Sequence, residues 1–108
     1  MDTQAKIKET VTTNPVVLYM KGTPKFPQCG FSNVATQILD ACNTKYVAVD
    51  VLADQAVREG IKVYANWPTI PQLYINGEFV GGSDIMRSMY ENGELQIMLG
   101  SLNSSVAK

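Results

Sequence analysis

The chain opens on a polar stretch in which Ile7 and Val11 stand one helical turn apart. That spacing predicts a helix over about Thr3 to Thr13 with one narrow buried stripe. Asn14-Pro15 ends it, because a residue before proline avoids the helical region. Val16-Val17-Leu18-Tyr19-Met20 is almost wholly apolar, the pattern of a short strand covered on both faces. A loop carrying Gly22, Pro24 and Pro27 runs from Lys21 to Gln28. Beyond Cys29 the apolar positions return at helical spacing, with Val34, Ile38, Ala41 and Cys42 on one face. Tyr46 to Val49 reads as a second strand closed by Asp50. Val57, Ile61 and Tyr64 then mark a helix from Asp54 to Tyr64. Gly60 is where it is expected to end or bend, since glycine costs about 1 kcal/mol relative to alanine in a helix.

Asn76-Gly77 lies between Leu73-Tyr74-Ile75 and Glu78-Phe79-Val80. Asn-Gly between apolar runs predicts a tight hairpin, because a type I′ turn needs positive φ at both central residues. Gly81-Gly82 ends it. Ser83 or Asp84 is expected to cap a helix reaching about Glu91, with Ile85, Met86 and Met89 inward. Asn92-Gly93 stops that helix, and a last one spans Glu94 to Leu99. A polar tail from about Ser101 to Lys108 is expected to be disordered. The order is helix-strand-helix-strand-helix-strand-strand-helix-helix. The first two strands, joined through a helix, predict a right-handed parallel crossover. The hairpin adds an antiparallel pair. The fold class is therefore α/β, a four-stranded mixed sheet flanked by helices on both faces.

With 108 residues, the chain is the size of one domain, residues 1–108. It can bury roughly two-thirds of its unfolded surface and needs no disulfide framework. Nine basic and ten acidic residues leave a net charge of -1. No basic stripe points to nucleic acid, and no run of about 18 apolar residues points to a membrane. The segment MDTQAKIKET has no apolar core and does not read as a secretory signal. The cytoplasm is the expected compartment, with an organelle matrix the alternative if a transit peptide has been removed. The absence of histidine leaves thiolate, carboxylate, amine and backbone to carry any chemistry.

Cys29 falls where a strand and loop give way to a helix. Free N–H groups and the dipole at that end favour a thiolate, and Lys21 brings a positive charge to the same loop. Only the thiolate attacks disulfides or binds metal, so these are conditions for reactivity. Cys42 lies about 13 residues on, some 20 Å away at 1.5 Å per helical residue. A disulfide needs Cα atoms within roughly 7 Å, so Cys42 cannot resolve Cys29 and reads as a core residue. Trp67 also reads as core.

Cys29-Gly30-Phe31-Ser32 resembles the CGFS site of monothiol glutaredoxins. Lys21-Gly22-Thr23-Pro24 is similar to that family's KGTP segment, and Trp67-Pro68-Thr69-Ile70-Pro71-Gln72-Leu73 to its WPTxPQL segment. Asn76-Gly77-Glu78-Phe79-Val80-Gly81-Gly82-Ser83-Asp84 resembles its hairpin and GGxD element. The matches keep their order and cover about residue 4 to residue 99. The resemblance implies a thioredoxin fold with Ile70-Pro71 cis beside Cys29. It also implies a glutathione site, in which Lys21 and Arg58 hold the glycyl carboxylate and Lys62 assists. Ile70 pairs its main chain with the cysteinyl part, and Ser83 N–H and Asp84 take the γ-glutamyl end. Ser83 stands where many relatives carry cysteine, a change that a main-chain contact survives. Ser32 replaces the second thiol of dithiol glutaredoxins and cannot form a disulfide.

The family's function implies that Cys29 is both the reactive thiol and a metal ligand. Two protomers and two glutathiones supply the four thiolates of a [2Fe–2S] cluster, so the cluster-bound form is a homodimer. Its implied partners are iron–sulfur recipient proteins and a BolA-like protein. The alternative is a glutathione-dependent thiol–disulfide oxidoreductase that removes glutathione from proteins. The family is weak at this, a weakness associated with its longer loop, here Lys25 to Gln28.

Overall fold

Five consecutive buried side chains make Val16–Met20 the centre of the structure. Alternate residues of this strand, β1, enter two separate cores because side chains alternate across a pleated sheet. The computed structural model describes residues 2–106, with side chains described through Ser101. Around β1 (Val16–Met20) the chain forms α1 (Thr3–Thr13), α2 (Gly30–Ala41), β2 (Val47–Asp50), α3 (Gln55–Ala65), β3 (Gln72–Ile75), β4 (Glu78–Gly81), α4 (Ser83–Asn92) and α5 (Glu94–Val106). The sheet order is β2-β1-β3-β4. β2 runs parallel to β1, β3 antiparallel to β1, and β4 antiparallel to β3.

Val16, Leu18 and Met20 join Leu73 and Ile75 under α2, α4 and α5, which contribute Ala35, Ile38, Leu39, Met86, Leu95 and Leu99. Val17, Tyr19 and Tyr74 face the other way, onto Ile7 and Val11 of α1 and Val57 and Ile61 of α3. Local signals set the element ends. Asp2 accepts from Ala5 N at 2.8 Å and starts α1. Asp54 accepts from Ala56 N and Val57 N and starts α3. Asn66, in the left-handed region at φ 51°, ends α3. Asn76 and Gly77 take φ 53° and 81°, as a type I′ hairpin turn requires. Among the described residues, no helix is long and apolar enough to cross a membrane.

Several local expectations are corrected. The buried stripe of α2 is Ser32, Ala35, Thr36, Ile38 and Leu39, while Ala41 is exposed. Small polar side chains that satisfy themselves, as Thr36 does on Asn33 O at 2.8 Å, escaped a search for large apolar ones. Gly82, not Ser83 or Asp84, is the cap of α4. Ile85 is exposed rather than inward, because α4 buries Met86 instead. β2 is shifted by one residue to end on Asp50 itself. α5 continues past Leu99 to Val106, since Gly100 is a weak penalty and no proline follows; residues 107 and 108 of the expected tail lie outside the described residues.

Gly60 neither ends nor bends α3. A Cβ there would meet Thr3 Cγ2 at 2.6 Å and Ile7 Cδ1 at 3.3 Å, and Gln4 Nε2 donates to Gly60 O at 2.9 Å. The glycine lets α1 lie close on α3. In an open helix Gly60→Ala would gain about 1 kcal/mol, whereas overpacking costs about 1–3 kcal/mol. Urea unfolding of Gly60→Ala should therefore show equal or lower stability than the natural chain. A Thr3→Ser background, which removes Cγ2, should restore the gain. A clear stabilisation by Gly60→Ala alone would show that the helices part without penalty.

Candidate functional site

The strand directions bring three distant stretches to one end of the sheet. Tyr19 pairs with Gln72 across β1 and β3, and Leu73 pairs with Gly81 across β3 and β4. The exit of β1, the approach to β3 and the exit of β4 are thus adjacent. They carry Lys21 to Cys29, Trp67 to Pro71, and Gly82 to Ile85.

The first stretch is a tight hairpin rather than a loose loop. Thr23 N donates to Phe26 O, Phe26 N to Thr23 O, and Gln28 N to Lys21 O at 2.9 Å. Gly22 is required by geometry: its φ is 90°, and a Cβ would lie 2.5 Å from Phe26 O. Asp50, at the end of β2, accepts from Gly22 N and Leu52 N, each at 2.9 Å, and so ties the hairpin to the sheet edge. Ser32 is fully buried and accepts from Lys21 N at 3.0 Å. The hairpin and the first turn of α2 are thereby locked together, with Cys29 as the N-cap between them.

Cys29 has extended backbone, φ -153° and ψ 136°, and Asn33 N donates to its carbonyl at 2.9 Å to open the helix. Partial burial pushes its thiol up. The N–H groups of Ser32 and Phe31, the Lys21 charge and the Ser32 side chain outweigh that and hold it below the ordinary value. The sulfur closes no capping hydrogen bond, so the N–H groups act as aligned dipoles. Cys42 caps the far end of α2 and packs on the core beneath it. Burial pushes its thiol up, the inert state of a core cysteine.

The opposite wall is the loop into β3, where Ile70-Pro71 is cis. Gln72, fully buried, donates through Nε2 to Trp67 O at 3.2 Å and Thr69 O at 3.1 Å. The third wall is the start of α4. Its first N–H groups have no partner within the helix, and a Cβ at Gly82 would sit 3.2 Å from Pro71 O.

Between these walls lies a cleft of about 420 Å³. The structure brings Lys21, Cys29, Lys62, Ile70, Ser83 and Asp84 together in it. Arg58 is not among its lining residues; Lys62, one turn later on α3, is. Arg58 Nε is buried without a hydrogen-bond partner, and Lys62 contacts Glu59 at 3.4 Å. Trp67 is a correction. It lines the cleft and is 41% exposed, leaning on Phe79 at 5.7 Å between ring centroids. Phe31 and Ile85, also exposed, complete an apolar rim. Ser32, Asp50 and Gln72 position the site and were not found in that role from the sequence; a polar residue in a first helical turn or at a strand end is a signal too common to single out.

The arrangement offers one thiol whose ionisation is favoured, cations on one side, and an acid with free N–H groups on the other. Among the described residues, no three Cys, Asp or Glu side chains gather to hold a metal ion. Because the thiol of Cys29 is held low and that of Cys42 is pushed up, the two should alkylate at different pH. In Cys42→Ser, iodoacetamide labelling of Cys29 should rise through a midpoint below that of an ordinary cysteine. In Cys29→Ser, labelling of Cys42 should need higher pH. Lys21→Gln should move the Cys29 midpoint upward. Coincident midpoints for the two cysteines would refute the electrostatic account.

The sequence model described as glutaredoxin matches residues 16–80. A monothiol glutaredoxin of Synechocystis, itself uncharacterised, is 59% identical over 98 residues, covering 91% of this chain and 92% of its own. Glutaredoxin 4 of Escherichia coli is 50% identical over 94 residues, 87% of this chain and 82% of its own. Among solved structures, a monomeric truncated mutant of Trypanosoma brucei 1-C-Grx1 superposes with a TM-score of 0.85 at 41% identity, covering 95% of this chain and 93% of that one. The sheet flanked by helices is the thioredoxin fold, and with Cys29 as the lone thiol of the cleft, the chain belongs to the glutaredoxin family as a monothiol member.

Proposed function

We propose that the cleft binds glutathione and that a dimer of this chain carries a [2Fe–2S] cluster on two Cys29 thiolates and two glutathione thiolates. The cluster is cargo, passed to iron–sulfur recipient proteins, with a BolA-like protein as a further partner. The observation that carries the reading is a single stabilised thiolate in a cleft of split polarity. Glutathione has two carboxylates, an ammonium and a thiol, and the cleft offers a counterpart for each.

Lys21 and Lys62 face the glycyl carboxylate. Arg58 stands one turn before Lys62 on the same helix and adds a second positive charge beside that end of the cleft. The Ile70 main chain pairs with the cysteinyl part. The free N–H groups at Ser83 receive the γ-glutamyl carboxylate, and Asp84 receives its ammonium. That orientation sets the glutathione sulfur beside Cys29. One thiolate per chain supplies a quarter of the ligands of such a cluster, so the remainder comes from glutathione and a second copy.

Anaerobic reconstitution with iron, sulfide and glutathione should give a brown dimer only when glutathione is present. Absorption spectra and the mass of the coloured species test this together. Cys29→Ser should abolish the colour, and Cys42→Ser should retain it. Arg58→Ala and Lys62→Ala should each raise the glutathione concentration needed. A colourless monomer that reduces glutathione mixed disulfides would instead favour the oxidoreductase. There Cys29 thiolate takes glutathione from a protein disulfide and releases the protein thiolate. A second glutathione thiolate then frees Cys29 as oxidised glutathione forms.

A further inference from the structure

Trp67, Pro68 and Thr69 form an exposed stretch of the cleft wall that ends on buried Ile70. Trp67 N donates to Lys62 O at 3.0 Å. Beyond that, the only hydrogen bonds to the Trp67 and Thr69 carbonyls among the described residues come from Gln72 Nε2. Gln72 Oε1 in turn accepts from Tyr74 Oη at 2.9 Å. The amide orientation follows from its partners, because two carbonyls require the NH₂ end and the phenol then meets the oxygen. Burial pushes the Tyr74 phenol up, so it remains a donor.

We propose that Gln72 is a positioning residue for the glutathione cleft: its buried amide, anchored by Tyr74, fixes the Trp67–Ile70 backbone against which glutathione is held. This rests on the glutathione reading given above. Gln72 is fully buried at the start of β3, where a side chain of similar size without polar atoms would fill the same space and avoid desolvating an amide. The carbonyls it holds belong to exposed residues and could be hydrated instead. What the amide adds is therefore placement of the loop. A loop fixed beforehand loses less conformational freedom when ligand binds, so the effect should appear in glutathione affinity more than in stability.

Trp67 is the only tryptophan of the chain and lies in the clamped segment, so its fluorescence reports the wall directly. The test uses the full chain with oxidised glutathione. Cys29 thiolate displaces one glutathione thiolate and forms a Cys29–glutathione disulfide, whose equilibrium is read by mass. Gln72→Met should lower that equilibrium constant about tenfold, or about 1.4 kcal/mol, with alkylation of Cys29 by iodoacetamide little changed. Acrylamide should quench Trp67 more strongly in the variant, and the difference should shrink in the glutathione-bound form. Tyr74→Phe, which keeps the ring and loses the hydroxyl, should act in the same direction and add little to Gln72→Met. Natural glutathione uptake and Trp67 quenching in both variants would overturn the proposal. A natural chain that takes up no glutathione would overturn the cleft reading and this inference with it. A normal disulfide equilibrium without any cluster would strike only the cluster reading.

Discussion

Because Tyr19 pairs with Gln72 in an antiparallel ladder, the exit of β1 and the entrance of β3 are neighbours. Every other feature of the site depends on that pairing. The hairpin after β1 presents Cys29, and the loop before β3 presents Ile70 and Pro71 beside it. The β4 strand, laid against β3, delivers the start of α4 to the same end. Three separate stretches of the sequence become the walls of one cleft through backbone hydrogen bonds in the middle of the sheet. The same strands divide their side chains between two cores, so the frame beneath the cleft is packed on both faces.

Within that frame the chemistry is concentrated on one sulfur. Burial opposes its ionisation, and the dipoles at the start of α2 with the Lys21 charge overcome it. Ser32 has two structural consequences at once. It takes the place of a second thiol, and its oxygen accepts the Lys21 N–H, joining the hairpin to the helix. Asp50 does the equivalent work from the sheet edge. The reactive group is thus carried by polar contacts to backbone, which fix geometry more sharply than apolar packing can.

The fold was largely legible because its signals were strong and local. Ile7 and Val11 marked α1, the unbroken apolar run marked β1, and Asn76-Gly77 marked the hairpin. What escaped was the orientation of marginal side chains. Ile85, Met86 and Met89 carry similar hydrophobicity, and only the tertiary position of α4 decides that Ile85 faces the cleft. Trp67 read as core for the same reason. Gly60 looked like a helix breaker, since nothing local announces that α1 crosses there. Resemblance gathered Lys21, Ile70, Ser83 and Asp84 correctly into one cleft. It named Arg58 ahead of Lys62, whereas Lys62 lines the cleft and Arg58 does not; both share one helical face, which spacing alone does not resolve.

The two cysteines cap opposite ends of α2. Any disulfide formed by Cys29 therefore joins it to another molecule. An internal disulfide closed by glutathione disulfide releases two glutathione thiols, so its formation depends on the square of the thiol concentration. Here one disulfide is exchanged for another and one thiol is released, so the oxidised fraction follows the ratio of disulfide to thiol around the protein. The redox state of this chain is consequently a reading of that ratio by mass action, and diluting the whole mixture leaves it unchanged.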